Sequence, residues 1–222
     1  IDPYKNGYVV LSDNTIVFSK KEQHSYHNKY SVRTGKIDKA VKGVKETKAN
    51  YATAWIDHGS APEKASYQYV IYPNLKDNEI KNFNQYVVED KSYQILQANS
   101  DAHIVKNKET STVAYVVFNE DNAINIGVLQ SVSKPSLVMI EEKDPNNLKI
   151  EVTNPDLNFV IEEGKENRYN NYGLPTEVSL SIKGKWKVNN KDMVVAVSES
   201  GETTTITLKC VNGLKTSIVI SK

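Results

Sequence analysis

Apolar residues in this chain recur with a period of two. In the run ending at Val211, Ile206, Leu208 and Cys210 share a face; in 66–72, Tyr67, Tyr69 and Ile71 point one way and Gln68, Val70 and Tyr72 the other. That is the period of a strand, whose successive side chains leave opposite faces. Similar runs cover 8–11, 15–18, 52–57, 93–98, 103–106, 112–119, 123–128, 136–140, 148–152, 178–182, 193–197 and 215–220. Turn residues such as Ser12-Asp13-Asn14 separate them, and short strands at this density imply an all-β antiparallel sandwich. Residues 52–57 and 66–72 read as a hairpin-like pair joined through Gly59 and Pro62. The last three runs, linked by Ser200-Gly201-Glu202 and Asn212-Gly213-Leu214, read as an antiparallel meander. One segment departs from the pattern: Ile80 and Phe83 are one helical turn apart, so a short helix is expected over 77–86, with Asp77 as its cap and Glu79 in its first turn.

Pro135 is poorly suited to a central strand, and a fresh apolar run starts at Ser136. A boundary is therefore expected near residue 133: the tail of a large antiparallel β-sandwich over 1–133, then a small C-terminal β-sandwich over 134–222. The polar segment 162–173 reads as a mobile loop, and 36–48, rich in lysine but interrupted by Asp38 and Glu46, as a solvated one. Starting at Ile1, the chain reads as a piece of something longer.

With 39% hydrophobic and 25% charged residues, a packed core is expected. Twenty-eight basic against 27 acidic side chains leave a net charge of +1, without the basic excess of a nucleic-acid binder. No run approaches a membrane span, and no signal-peptide pattern opens the chain. Arg33 and Arg168 are the only arginines, so few groups could grip an anion with two parallel hydrogen bonds. Cys210, the only cysteine, excludes an internal disulfide and reads as a small buried apolar residue.

Thr53-Ala54-Trp55-Ile56-Asp57-His58-Gly59, the later Pro62 and the Tyr67-x-Tyr69 strand resemble a signature of polysaccharide lyase family 8. Asn6-Gly7-Tyr8 and Gln23-His24-Ser25 precede it in the order of that family's large β-domain. Tyr69 to Asn74 is similar to the chondroitin sulfate ABC lyase branch. Ala102-His103-Ile104-Val105-Lys106 and Ala114-Tyr115-Val116-Val117-Phe118 fit the later sheet strands. The stretch from Ser131 to Ile140, then Asn154-Pro155-Asp156-Leu157 and Lys183-Gly184-Lys185-Trp186, fit the small C-terminal sandwich. The resemblance implies cleavage of chondroitin, dermatan or hyaluronan by metal-independent β-elimination, in a secreted or periplasmic enzyme. It also implies that the asparagine or glutamate, histidine, tyrosine and arginine of the reaction lie upstream of Ile1, so none is carried onto this sequence. The absent helical and β regions of the same enzyme then become partners of this segment.

Local residues offer little chemistry of their own. His24 and His27, near Tyr26 and Tyr30, read as a strand end and an exposed loop; His58 reads as a turn anchor bonding its own backbone, and His103 as a partly buried strand residue. No metal or cofactor set is expected; the loop 141–147 is oxygen-rich but lacks the spacing of a calcium loop. Thirteen tyrosines stand out. Strands favour aromatics for packing, yet a flat ring with a hydroxyl also suits a sugar. Tyr67, Tyr69 and Tyr72 are therefore candidate carbohydrate contacts, together with Trp186, expected on an exposed edge between Lys185 and Lys187. The expected function is scaffold and cleft wall of a glycosaminoglycan lyase, inactive alone; a free-standing extracellular carbohydrate-binding module is the alternative. A truncated large sandwich should leave sheet edges and apolar face exposed.

Overall fold

The computed structural model describes residues 2, 4–25, 29–31, 36–38, 47–89, 92–120, 122–158 and 173–222. The chain divides into two compact units, Ile1–Val88 and Glu89–Lys222.

The first unit is built from antiparallel pairs. Its strands are β1 (Gly7–Val10), β2 (Thr15–Ser25), β3 (Lys29–Ser31), β4 (Lys36–Asp38), β5 (Thr47–Asp57) and β6 (Tyr69–Tyr72). β1 pairs with β6, β2 with β5 and β3 with β4, so the pairings are nested in sequence. The expected hairpin between 52–57 and 66–72 is therefore replaced: eleven residues of β5 pair with β2, from Thr15↔Asp57 to Ser25↔Thr47. The longer pairing wins, because four residues of β6 could not satisfy so many backbone groups. Strand β4 also occupies the start of the lysine-rich stretch expected as loop, whose residues 39–46 lie outside the described ones.

The expected helix is present in three pieces: a 3₁₀ turn at Asp77–Glu79, α1 (Ile80–Asn84) and a π-type turn at Gln85–Glu89. Its cap is not Asp77. Glu79 reaches back and accepts the backbone N–H of Lys76 at 3.2 Å, satisfying a donor the helix leaves free. Phe83 is buried and packs on Tyr72 at 4.9 Å, while Ile80 is exposed. Leu75 turns inward beside Gly7, where a Cβ would have to displace the leucine's terminal methyl.

The second unit is a two-layer sandwich. Its strands are β7 (Tyr93–Ala98), β8 (Ala102–Asn107), β9 (Thr112–Val117), β10 (Asn122–Ile126), β11 (Leu129–Val132), β12 (Ser136–Asp144), β13 (Asn147–Thr153), β14 (Thr176–Lys183), β15 (Lys187–Val188), β16 (Val194–Ser200), β17 (Thr203–Cys210) and β18 (Thr216–Ser221). One sheet runs β10-β11-β14-β17-β16, the other β15-β18-β13-β12-β9-β8-β7. Strict alternation makes the core. β13 buries Leu148, Ile150 and Val152, β14 buries Val178, Leu180 and Ile182, and β17 buries Ile206, Leu208 and Cys210.

Two expectations give way here. Residue 133 is not a boundary: it lies in the crossing from β11 to β12, and β12 pairs with β9 from Ser136↔Val117 to Glu141↔Thr112. Val113, Tyr115 and Val117 share one core with Val138 and Ile140, so Pro135 marks a change of sheet, not of domain. Nor do the last three runs form a meander. β16 and β17 pair, but at Asn212-Gly213 the chain crosses layers and β18 pairs with β13 and β15. Asn212 and Gly213 both have positive φ, 53° and 64°. The crossing lets Cys210 and Ile218 face one core from opposite sheets.

Candidate functional site

Trp186 is removed from the candidate surface. The link from β14 to β15 folds it inward until 3% of it is exposed. Its indole N–H donates to Lys183 O at 2.8 Å and its backbone N–H donates to Thr204 Oγ1 at 2.9 Å. The buried Thr204 hydroxyl donates in turn to Gly184 O at 2.8 Å. Gly184 holds φ 104°, and a Cβ there would lie 3.0 Å from the indole nitrogen. The lysines that suggested exposure are themselves exposed, Lys185 lying 3.8 Å from Glu202, while Lys222 Nζ lies over the ring at 5.2 Å.

The tyrosines divide by the two faces of the β1–β6 pair. Tyr72 lies on the face that meets α1 through Phe83. Tyr69 is opposite Val10 and Ile71 opposite Tyr8, so these four share the other face. Tyr67 continues that face before the strand: its ring lies 5.9 Å from that of Tyr69, with planes 19° apart. His58 adds a ring the sequence did not associate with it, 6.0 Å from Tyr67 and tilted by 41°. The loop 59–66 brings them together, with Gly59, Ala61 and Lys64 at φ 74°, 50° and 54°.

His58 does not anchor its turn as expected. Asp57 does, accepting Gly59 N–H at 2.8 Å, while Asn14 Nδ2 donates to His58 Nδ1 at 3.2 Å and ties the ring to the turn before β2. At the other end, the Tyr8 hydroxyl donates to Asp2 at 2.9 Å. Asp2 also accepts the side chain and backbone N–H of Asn6, and these bonds hold its carboxyl below the usual range. That hydrogen bond to Asp2 raises the Tyr8 phenol above its ordinary value. Tyr8, Tyr67 and Tyr69 remain 51%, 60% and 47% exposed.

The remaining candidates are occupied by structure. His24 lies 3.1 Å from Glu22, and His27 is outside the described residues. His103 is exposed rather than partly buried and meets the Phe118 ring edge-on at 5.1 Å. In the oxygen-rich loop, Asp144 accepts Asn146 N–H at 2.8 Å and Asn147 Nδ2 at 2.7 Å, closing the β12–β13 turn and lowering its pKa. Among the described residues, no three His, Cys, Asp or Glu side chains gather as metal ligands. An open groove of about 580 Å³ on the second unit is lined by residues that include Val105, Asn107, Thr112, Ala114, Met139 and Glu141.

Comparison with known proteins identifies the architecture. The super-sandwich domain model of polysaccharide lyase family 8 matches residues 2–84, and the family's C-terminal beta-sandwich domain model matches 94–158. The chain belongs to polysaccharide lyase family 8. It is 26% identical over its whole length to the chondroitin sulfate ABC endolyase of Proteus vulgaris, of which it covers 20%. It is 27% identical over 195 residues to the chondroitin sulfate ABC exolyase of Bacteroides thetaiotaomicron, covering 80% of this chain and 19% of that enzyme. Among solved structures, the Streptomyces coelicolor A3 chondroitin AC lyase in complex with chondroitin sulphate aligns over 93% of this chain and 24% of its own, with TM-score 0.60 and 11% identity. Paenibacillus xanthan lyase aligns over 97% and 18%, with TM-score 0.63 and 17% identity. The chain thus spans about a fifth of the length of the curated family 8 relatives it matches.

Proposed function

We propose that these 222 residues are the non-catalytic β-scaffold and cleft wall of a glycosaminoglycan lyase acting on chondroitin, dermatan or hyaluronan outside the cytoplasm. The observation that carries this reading is end-to-end similarity to one fifth of a chondroitin sulfate ABC endolyase. Elimination requires a group that neutralises the uronate carboxylate, a base for the α-proton and an acid for the leaving glycosidic oxygen. As the base takes the proton, a carbon–carbon double bond forms and the glycosidic C–O bond breaks, leaving an unsaturated uronate. His58 and Tyr67, a histidine–tyrosine pair 6.0 Å apart, lie on an open ribbon face rather than in a closed cleft. The chemistry is assigned to other polypeptide of the enzyme.

The test is absorbance of the unsaturated product when this chain alone is incubated with chondroitin sulfate and hyaluronan. No rise is expected; a steady rise abolished by His58→Ala would overturn the reading. The exposed tyrosine face favours one alternative, a free-standing carbohydrate-binding module. A coding region without an upstream helical segment would replace the scaffold reading with that one.

A further inference from the structure

We propose that His58, Tyr67, Tyr69 and Tyr8 form a sugar-stacking platform that holds the polysaccharide by its pyranose ring faces and is indifferent to sulfation. The proposal rests on the scaffold reading for the identity of the polymer and on the geometry for the mode of contact. A ring separation of 5.9 Å at 19° is wider than face-to-face contact, so Tyr67 and Tyr69 are parallel but offset. Offset rings leave part of each face uncovered by the other, and the two residues are 60% and 47% exposed. His58 prolongs the row on one side, and its bond from Asn14 fixes the ring. Tyr8 prolongs it on the other, diagonal to Tyr69, with its hydroxyl tied to Asp2.

The chemistry of this face selects a sugar over a packing partner. On the β2–β5 pair the exposed large side chains include Ile16, Phe18, Tyr51 and Trp55, where the Tyr51 phenol stands opposite Lys21 and, among the described residues, no second tyrosine ring is stacked on it. The platform instead presents aromatic faces with polar tips, matching a pyranose, which has a C–H-rich face and a hydroxyl rim. No lysine or arginine occupies a strand position on this face, where the residues are Tyr8, Val10, Tyr69 and Ile71. Those strand positions therefore supply none of the paired cationic donors that would recognise a sulfate.

Isothermal titration calorimetry of this chain with unsulfated hyaluronan oligosaccharides, chondroitin 4-sulfate oligosaccharides and neutral starch oligosaccharides decides the matter. Both glycosaminoglycans are expected to bind with Kd within about threefold and with little dependence on salt. The double variant Tyr67→Ala/Tyr69→Ala should weaken both about tenfold or more, as expected for two lost ring contacts. Tyr67→Phe, which keeps the ring face and loses only its polar tip, should weaken binding less than the double variant, and unchanged far-UV circular dichroism verifies folding of each variant. Glycosaminoglycan binding that survives the double variant, or that requires sulfate, overturns the platform and leaves the scaffold reading intact. Starch binding lost in the double variant, with no glycosaminoglycan binding, supports the platform and overturns the choice of polymer. Absence of binding to all three overturns the platform.

Discussion

Two tryptophans separate what a side chain does from what its neighbours in sequence suggest. Trp186 has lysines on both sides, yet its ring fills the core and both of its N–H groups are satisfied, by Lys183 O and Thr204. Trp55 lies in an apolar run, yet about half of it is exposed. Trp186→Ala removes a large core ring and leaves the Lys183 carbonyl without its indole donor; it should cost about 3–5 kcal/mol in urea unfolding. Trp55→Ala loses only cross-strand contact and should cost about 1 kcal/mol or less. Equal losses would show that Trp55 is covered in solution. Cys210 follows the simpler rule: alternation alone predicts it to be buried, and it is, with its thiol pKa raised by desolvation.

At the level of elements, the strands were readable and their partners were not. Nearly every predicted run is a strand, because a period of two is a local property. Pairing is a competition between distant segments, and it moved β5 from β6 to β2 and β18 from β17 to β13. The two units differ in what holds their strands. β12, β13, β14 and β17 alternate into a shared core, whereas β2 and β5 form a two-stranded sheet with Phe18 77% exposed. A pair of strands without a covered face is marginal in water. Hydrogen–deuterium exchange should therefore show slow amides in β12, β13, β14 and β17 and fast ones in β2 and β5. Equal protection would mean that the ribbon has found a cover in solution.

For the molecule as a whole, those open edges and apolar side chains predict self-association. Sedimentation velocity should show concentration-dependent oligomers, and Ile16→Lys/Phe18→Lys, placed on exposed ribbon positions, should shift the population toward monomer. A monomer at all concentrations would show that the exposed ribbon surface does not drive association.

The sequence by itself determined the all-β class, the short helix near Phe83, the buried Cys210 and the order of landmarks that marks family 8. All of these depend on residue type and local spacing. It also placed Tyr67 and Tyr69 on one side and Tyr72 on the other, since alternation fixes faces within a strand. Only the tertiary structure decided that His58 joins those two tyrosines, that Trp186 is interior and that Pro135 separates sheets rather than domains. The Pro135 outcome and the burial of Trp186 under Thr204 depend on strands brought together from separate parts of the chain, and the His58 contact on the course of the loop 59–66; alternation within a strand carries no information about either.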